Sequence, residues 1–136
     1  MILEEKKITK EKLKEQIDAA LGRTPSDLYI TNVKILDVYT ETIYDGSILV
    51  KEGKIVNVNP TFEPQALEVF DGEGMYVIPG FIEPSMHIDC SLVMPDALAE
   101  GFVPWVTTTV IAEVNDLAGI HKENAVQAVK AYFKDK

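Results

Sequence analysis

The spacing of apolar residues predicts one helix near the start of the chain. Over residues 9–21, apolar side chains recur every three or four residues, which is typical of one helical face. They are Leu13, Ile17, Ala20 and Leu21. Thr9 is a suitable N-cap, and Gly22 suits the left-handed position that follows a helix. Residues 9–21 are therefore predicted to form an amphipathic helix.

Strand patterns follow the helix. Runs rich in β-branched and aromatic residues cover 28–38, 43–50 and 55–58, and weaker runs cover 64–70 and 75–78. A bulge is expected at Gly46, and Gly53 suits the hairpin turn between the second and third runs. These runs predict a small antiparallel β-domain.

The pattern changes after Gly80. Residues 81–88 are mostly apolar, which is typical of a strand buried on both faces. A short helix at 95–102, a strand at 106–112 and a helix at 121–133 follow, so this part is predicted to be a parallel β-α-β-α unit. The apolar stripe of the last helix is Ala125, Val126, Val129, Tyr132 and Phe133.

Three regions result from these elements. They are an N-terminal helix over residues 1–26, a small β-domain over 27–79 and a β-α-β-α segment over 80–136. The fold class is therefore a combination of α+β and α/β.

Charge narrows the range of partners. The 136 residues include 22 acidic and 13 basic side chains, for a net charge of −9. No Lys or Arg occurs from Ile55 to His121. Such a chain repels phosphate backbones, so no nucleic-acid partner is expected. The acidic excess favours solubility over an acidic functional cavity.

The sequence also argues against a membrane or secreted protein and against structures built on several cysteines. No apolar run reaches the length of a membrane span, and the charged first ten residues do not resemble a signal peptide, so we expect a cytoplasmic protein without a membrane partner. Cys90 is the only cysteine. An intramolecular disulfide and a zinc site with several thiolates are therefore impossible.

Histidine is the scarce chemical group in this chain. Of its two histidines, His121 is interpreted as a surface residue and His87 ends the predicted strand after Gly80. Their spacing alone makes no metal site, which needs three or four donors. Ser85 or Ser91 could imitate a nucleophile with His87 as base, but neighbours on one strand rarely achieve that geometry.

Read together, several segments over residues 8–120 resemble the amidohydrolase superfamily, and adenine deaminases most closely. In chain order they are Asp18–Arg23, Asp27–Ile30, Asp45–Ile48, Glu52–Val56, Pro79–Glu83 and Thr107–Ala112. The resemblance implies that the β-domain is part of a composite β-sandwich. It also implies that residues 80–136 are the first two βα units of a TIM barrel of the amidohydrolase type.

The activity that the resemblance implies is hydrolysis of a C–N bond in a cyclic amidine. In adenine deaminases a metal-bound hydroxide attacks the purine carbon that carries the amino group. The cofactor of an active enzyme would be a divalent metal, Mn, Fe or Zn.

The chain departs from the family pattern at the chemical positions. The first barrel strand normally ends in His-x-His, but here Ser85 occupies the first position and only His87 remains as a metal ligand. After the second strand the family carries Asp-Pro-His-Glu, and here Asn115 replaces the histidine. By family position, Asp89 and Asp116 are the candidate catalytic residues. A serine hydroxyl is a poor substitute for imidazole near pH 7.

These departures predict a shortened adenine-deaminase homologue that is inactive alone, with no cofactor expected. Its role would be that of a binding or interaction module. The chain is expected to form a homo-oligomer, specifically a dimer, and to bind a purine-like small molecule. The region of the two barrel strands, with the open edge of strand 106–112, or the last helix would form the interface. The last helix, 121–133, could instead fold back over the apolar surface of the same chain. One alternative is a hydrolase fragment that is active only with a complementing chain. Another is a gene product with no selected role.

Overall fold

The computed structural model describes residues 8–113 together with Gly119, Asn124, Gln127, Ala128, Ala131 and Tyr132. The structure mixes α-helices and β-strands. The chain divides after Pro79 into two compact units, which are described one at a time.

The first unit begins with helix α1, Lys10–Ala20. The backbone N–H of Lys12 donates a hydrogen bond of 3.3 Å to Thr9 Oγ1 at the N-cap, and Gly22 follows the helix with φ of 70°. The predicted helix and both of its end signals are therefore confirmed.

The apolar stripe of α1 is only partly covered. Leu13, Ile17 and Leu21 remain 45–53% exposed, and the buried residue of the helix is Ala19. The reason is that α1 packs on β3 (Lys54–Val58) and β2 (Thr42–Lys51) at one side of the sheet. Periodicity identifies a face that can be buried, whereas the neighbouring elements decide how much of it is covered.

The sheet of the first unit has the strand order β3-β2-β1-β4, with the short strand β5 also paired to β1. The remaining strands are β1 Ser26–Asp37, β4 Ala66–Asp71 and β5 Tyr76–Val77. All of them coincide with predicted strand runs.

The prediction of an antiparallel domain is wrong for two strands. β1, β2 and β3 pair antiparallel as expected, but β4 and β5 both pair parallel to β1, so the sheet is mixed. Residues 59–65 connect β3, at one edge of the sheet, to β4, at the opposite edge. There β4 runs in the same direction as β1. The sequence pattern of a strand contains no information about which strand it will pair with.

The bulge between β1 and β2 lies on β1, and not at the predicted position, Gly46 on β2. The register between β1 and β2 shifts between Ile30 and Val33, so the extra residue belongs to β1 and not to Gly46. Asn32 takes the left-handed conformation there, with φ of 54°, and its side-chain amide donates to Asp71 Oδ1 at 2.9 Å. Asparagine tolerates that conformation better than most residues, which favours the bulge at this position.

The core of the first unit lies on the central strands. Val33, Ile35 and Ile48 form the buried cluster, and Ile30, Val50 and Val77 pack against it. Leu49 is also buried, and because it alternates with Ile48 it lies on the opposite face of the sheet. Both faces of β2 therefore carry a buried side chain.

The second unit contains two strands and one helix among its described elements. Strands β6 (Phe81–His87) and β7 (Thr107–Glu113) pair in parallel, and helix α2 (Pro95–Phe102) lies between them in sequence. Short 3-10 turns, Asp89–Ser91 and Val103–Trp105, flank α2. The predicted last helix, 121–133, lies mostly outside the described residues.

The prediction that β6 is buried on both faces is wrong. No residue of β6 is buried, and neither is any other described residue from Gly80 onward. The reason is that, among the described elements of the second unit, β6 packs mainly on β7 and α2 forms no layer over the two strands. Trp105 is 79% exposed and Leu92 is 94% exposed.

Within residues 8–113 and the six described beyond them, no helix is both long and apolar enough to cross a membrane.

Candidate functional site

His87 lies at the C-terminal end of β6, directly opposite Glu113 at the C-terminal end of the parallel strand β7. The imidazole Nδ1 and the carboxylate Oε2 are 3.8 Å apart, and each side chain is about half exposed. The contact is an ion pair only when the imidazole is protonated, and solvent weakens a pair this exposed. The two strand ends thus bring together one imidazole and one carboxylate.

Ser85, the predicted substitute for a metal ligand, lies in an irregular part of β6. The register with β7 shifts between Glu83 and Met86, where Pro84 has no N–H to donate to the neighbouring strand. The backbone N–H of Ser85 instead donates to Glu83 Oε1 at 3.1 Å. Ser85 is exposed and lies on the same strand as His87.

Asp89 and Ser91 belong to the turn after β6. The carboxylate of Asp89 accepts a hydrogen bond of 3.1 Å from the N–H of Cys90. The hydroxyl of Ser91 donates to the carbonyl of Ile88 at 2.5 Å, so this hydroxyl stabilises the turn. That hydrogen bond gives no support to Ser91 as a nucleophile activated by His87.

The other predicted site residues, Asn115 and Asp116, lie outside the described residues, as does His121. The structure therefore describes the half of the predicted site that belongs to β6 and its turn, together with the end of β7.

The segment that contains this half-site is acidic. Five carboxylates and no Lys or Arg occur between Gly80 and Glu113. They are Glu83, Asp89, Asp96, Glu100 and Glu113. Such a surface attracts cations and basic groups and repels anions.

A metal ion of the kind that the family resemblance implies needs more donors than this half-site provides. His87 and Glu113 supply one nitrogen and one oxygen, whereas zinc sites in proteins use three or four protein ligands. In the part of the chain that the structure describes, no three His, Cys, Asp or Glu side chains form a group that could hold a metal. The described donors therefore do not fit a complete site.

Glu113 is the residue that sequence reasoning missed. It is not singled out in the sequence analysis as a neighbour of His87. The signal was present in the predicted topology, because the C-terminal ends of adjacent parallel strands lie at the same edge of a sheet.

Comparison with known proteins identifies relatives over most of the chain. The adenine deaminase of Desulforamulus reducens is 48% identical over 117 residues, which are 86% of this chain and 20% of that protein. The adenine deaminase of Geobacillus kaustophilus is 38% identical over 108 residues, or 79% of this chain and 18% of that protein. This chain thus spans about a fifth of the length of these relatives. No protein-family model matches the chain.

Among solved structures, the N-acyl-D-glutamate deacylase of Bordetella bronchiseptica is similar, with a TM-score of 0.55 and 26% sequence identity. The match covers 65% of this chain and 19% of the deacylase, whose crystal structure contains zinc and a phosphonate inhibitor. Sequence and structure therefore identify the matched residues as an adenine-deaminase-like segment of the amidohydrolase superfamily.

Proposed function

We propose that this chain is a non-catalytic relative of adenine deaminases that acts as a binding or interaction module. The observation that carries the proposal is the serine at position 85, where the family resemblance implies a histidine. A neutral hydroxyl is a weak metal ligand near pH 7, whereas imidazole is a strong one.

The binding role that we propose includes association with a second copy of the chain. β6 and β7 each have only one paired edge within the described residues, and both strands carry exposed apolar side chains, among them Phe81, Ile82 and Ile111. Unpaired strand edges beside apolar surface favour association. A purine-like small molecule is the ligand class that we propose for the module, because the matched relatives are adenine deaminases.

The direct test is adenine deamination by the purified chain with added Mn²⁺ or Fe²⁺. The Ser85→His, Asn115→His double variant is assayed beside it, and the Desulforamulus reducens enzyme serves as positive control. We expect no ammonia release from this chain or from the double variant, because restoring two histidines does not supply the remaining donors. Turnover by the unmodified chain would overturn the proposal.

A second candidate function is metal-dependent C–N hydrolysis by this segment together with a complementing chain. The pairing of His87 with Glu113 favours it, because the two donors lie at adjacent strand ends. Stoichiometric Zn, Mn or Fe in the unmodified protein would favour the enzyme over the binding module.

A further inference from the structure

The second unit contains a contact between distant parts of the sequence. The hydroxyl of Tyr132 donates a hydrogen bond of 3.0 Å to Asp96 Oδ2 in the first turn of α2. Both residues are partly buried. Hydrogen bonds to a carboxylate are among the stronger ones in proteins, so this contact can fix the position of a helical turn against α2.

The exposure of neighbouring residues shows which way that turn faces. Gln127, Ala128 and Ala131 are helical and exposed, whereas Tyr132 is half-buried. At about 100° per residue, the three exposed positions fall within one arc of about 100°. On the same scale, the apolar stripe predicted from the sequence occupies a separate arc of about 120°, and Tyr132 belongs to it.

The charges on the two sides are complementary. Residues 121–136 contain four lysines and two acidic residues, whereas residues 80–113 contain five acidic residues and no Lys or Arg. α2 itself carries Asp96 and Glu100 and has no buried residue. A segment that combines an excess of lysine with an apolar stripe is the kind of partner that an acidic, partly apolar helix can accept.

We propose that the helical segment bearing Tyr132 docks its apolar face on α2, with the Tyr132–Asp96 hydrogen bond fixing its orientation. The segment is thus an intramolecular partner for part of the second unit's surface. This inference goes beyond the proposed function, because it concerns contacts within one chain and holds whether or not the module binds metal or purines.

Limited trypsin digestion tests the proposal through the rate of cleavage within the segment. Trypsin cuts after Lys and Arg, and no such residue lies between Lys54 and Lys122. Cleavage after Lys130 therefore reports release of the segment, while cleavage after Lys54 is an internal reference for the first unit. We expect Tyr132→Ala to speed cleavage after Lys130 at least about fivefold, and Tyr132→Phe about threefold, because only the hydroxyl is lost.

Helix propensity makes the test decisive. Alanine is a better helix former than tyrosine or glutamine, so in an undocked helix both Tyr132→Ala and the matched control Gln127→Ala would slow cleavage. We expect the control on the exposed face to be cut no faster than the wild type. Tyr132→Ala cut at the wild-type rate or more slowly would overturn the docking. Tyr132→Phe cut at the wild-type rate would overturn the role of the hydrogen bond.

Discussion

At the scale of single residues, Asp27 connects two elements of the first unit. Its carboxylate accepts hydrogen bonds of 2.7 Å from Lys51 Nζ and from the backbone N–H of Glu52. Glu52 in turn pairs with Lys12 of α1 at 2.8 Å. The hydrogen bond from Lys51, followed by that from the Glu52 backbone, lowers the pKa of Asp27. Asp27 thus stabilises the turn at Glu52, and Glu52 forms the ion pair with α1.

Replacing Asp27 by Asn should destabilise the first unit by about 1 kcal/mol at pH 7. The value is modest because 39% of the Asp27 side chain is exposed. A lowered folded-state pKa stabilises the protein above the unfolded pKa of about 3.9, and this contribution is lost as the pH falls through the folded-state pKa. Urea denaturation followed by far-ultraviolet circular dichroism should show that wild type and Asp27→Asn converge in acid.

The control for this prediction is Asp45→Asn. Asp45 pairs with Lys34 at 2.9 Å, but 86% of its side chain is exposed. We expect its replacement to leave the stability nearly unchanged, because an ion pair whose carboxylate is this exposed contributes little. Equal losses from both variants, or a loss from Asp27→Asn that persists in acid, would contradict the role assigned to Asp27.

At the scale of elements, the two strand systems differ in what covers them. Leu49 on β2 is 1% exposed, whereas Ile111 on β7 is 59% exposed. We predict that Leu49→Ala lowers the free energy of unfolding by about 3 kcal/mol, because it leaves a cavity in a packed site. The matched change Ile111→Ala should cost less than about 0.5 kcal/mol. Similar losses in urea denaturation would show that β7 is packed as tightly as β2.

Local signals were sufficient to predict most elements from the sequence. Thr9 and Gly22 define the ends of α1, and β-branched runs define β1, β2 and β7, because caps and strand propensity act within a few residues. The parallel pairing of β4 and the exposure of β6 were not predicted. Both depend on which elements become neighbours, and an apolar run shows only that a strand can be buried.

The candidate site was also predicted only in part. The position of His87 at the end of a strand followed from the apolar run before it, and the structure bears it out. The parallel topology indicates that the strand end at Glu113 lies near His87, but the register that sets these two residues opposite each other is not given by the sequence pattern. A catalytic role for Asp89 remains a prediction. In the structure its carboxylate accepts a hydrogen bond from the N–H of Cys90 in the turn after β6.

At the scale of the whole molecule, both units carry exposed apolar residues, but the buried core of the described chain lies in the first unit alone. All the buried apolar residues of the described chain lie before Pro79, on α1, β1 and β2. Residues 80–113 of the second unit carry exposed apolar side chains and five carboxylates, and none of these residues is buried. This distribution is the basis for proposing that the second unit associates with another copy.

Size-exclusion chromatography with light scattering should show a species of twice the 15.1 kDa chain mass at micromolar concentration. Because both copies are acidic, raising the salt from about 50 mM to about 500 mM should strengthen the association by screening repulsion. Ile111→Asp on β7 should shift the protein to monomer. Ile55→Asp on β3, at a residue 65% exposed in the first unit, should not. A wild-type monomer at every salt concentration would reject the dimer.

The most direct test of the central claim is the metal content of the purified, dialysed chain, measured by mass spectrometry of the elements. The claim is that His87 without a histidine partner at position 85 cannot hold a divalent ion of the family type. It predicts Zn, Mn and Fe contents far below one per chain, unchanged in His87→Ala. One full equivalent of metal that disappears in His87→Ala would contradict it.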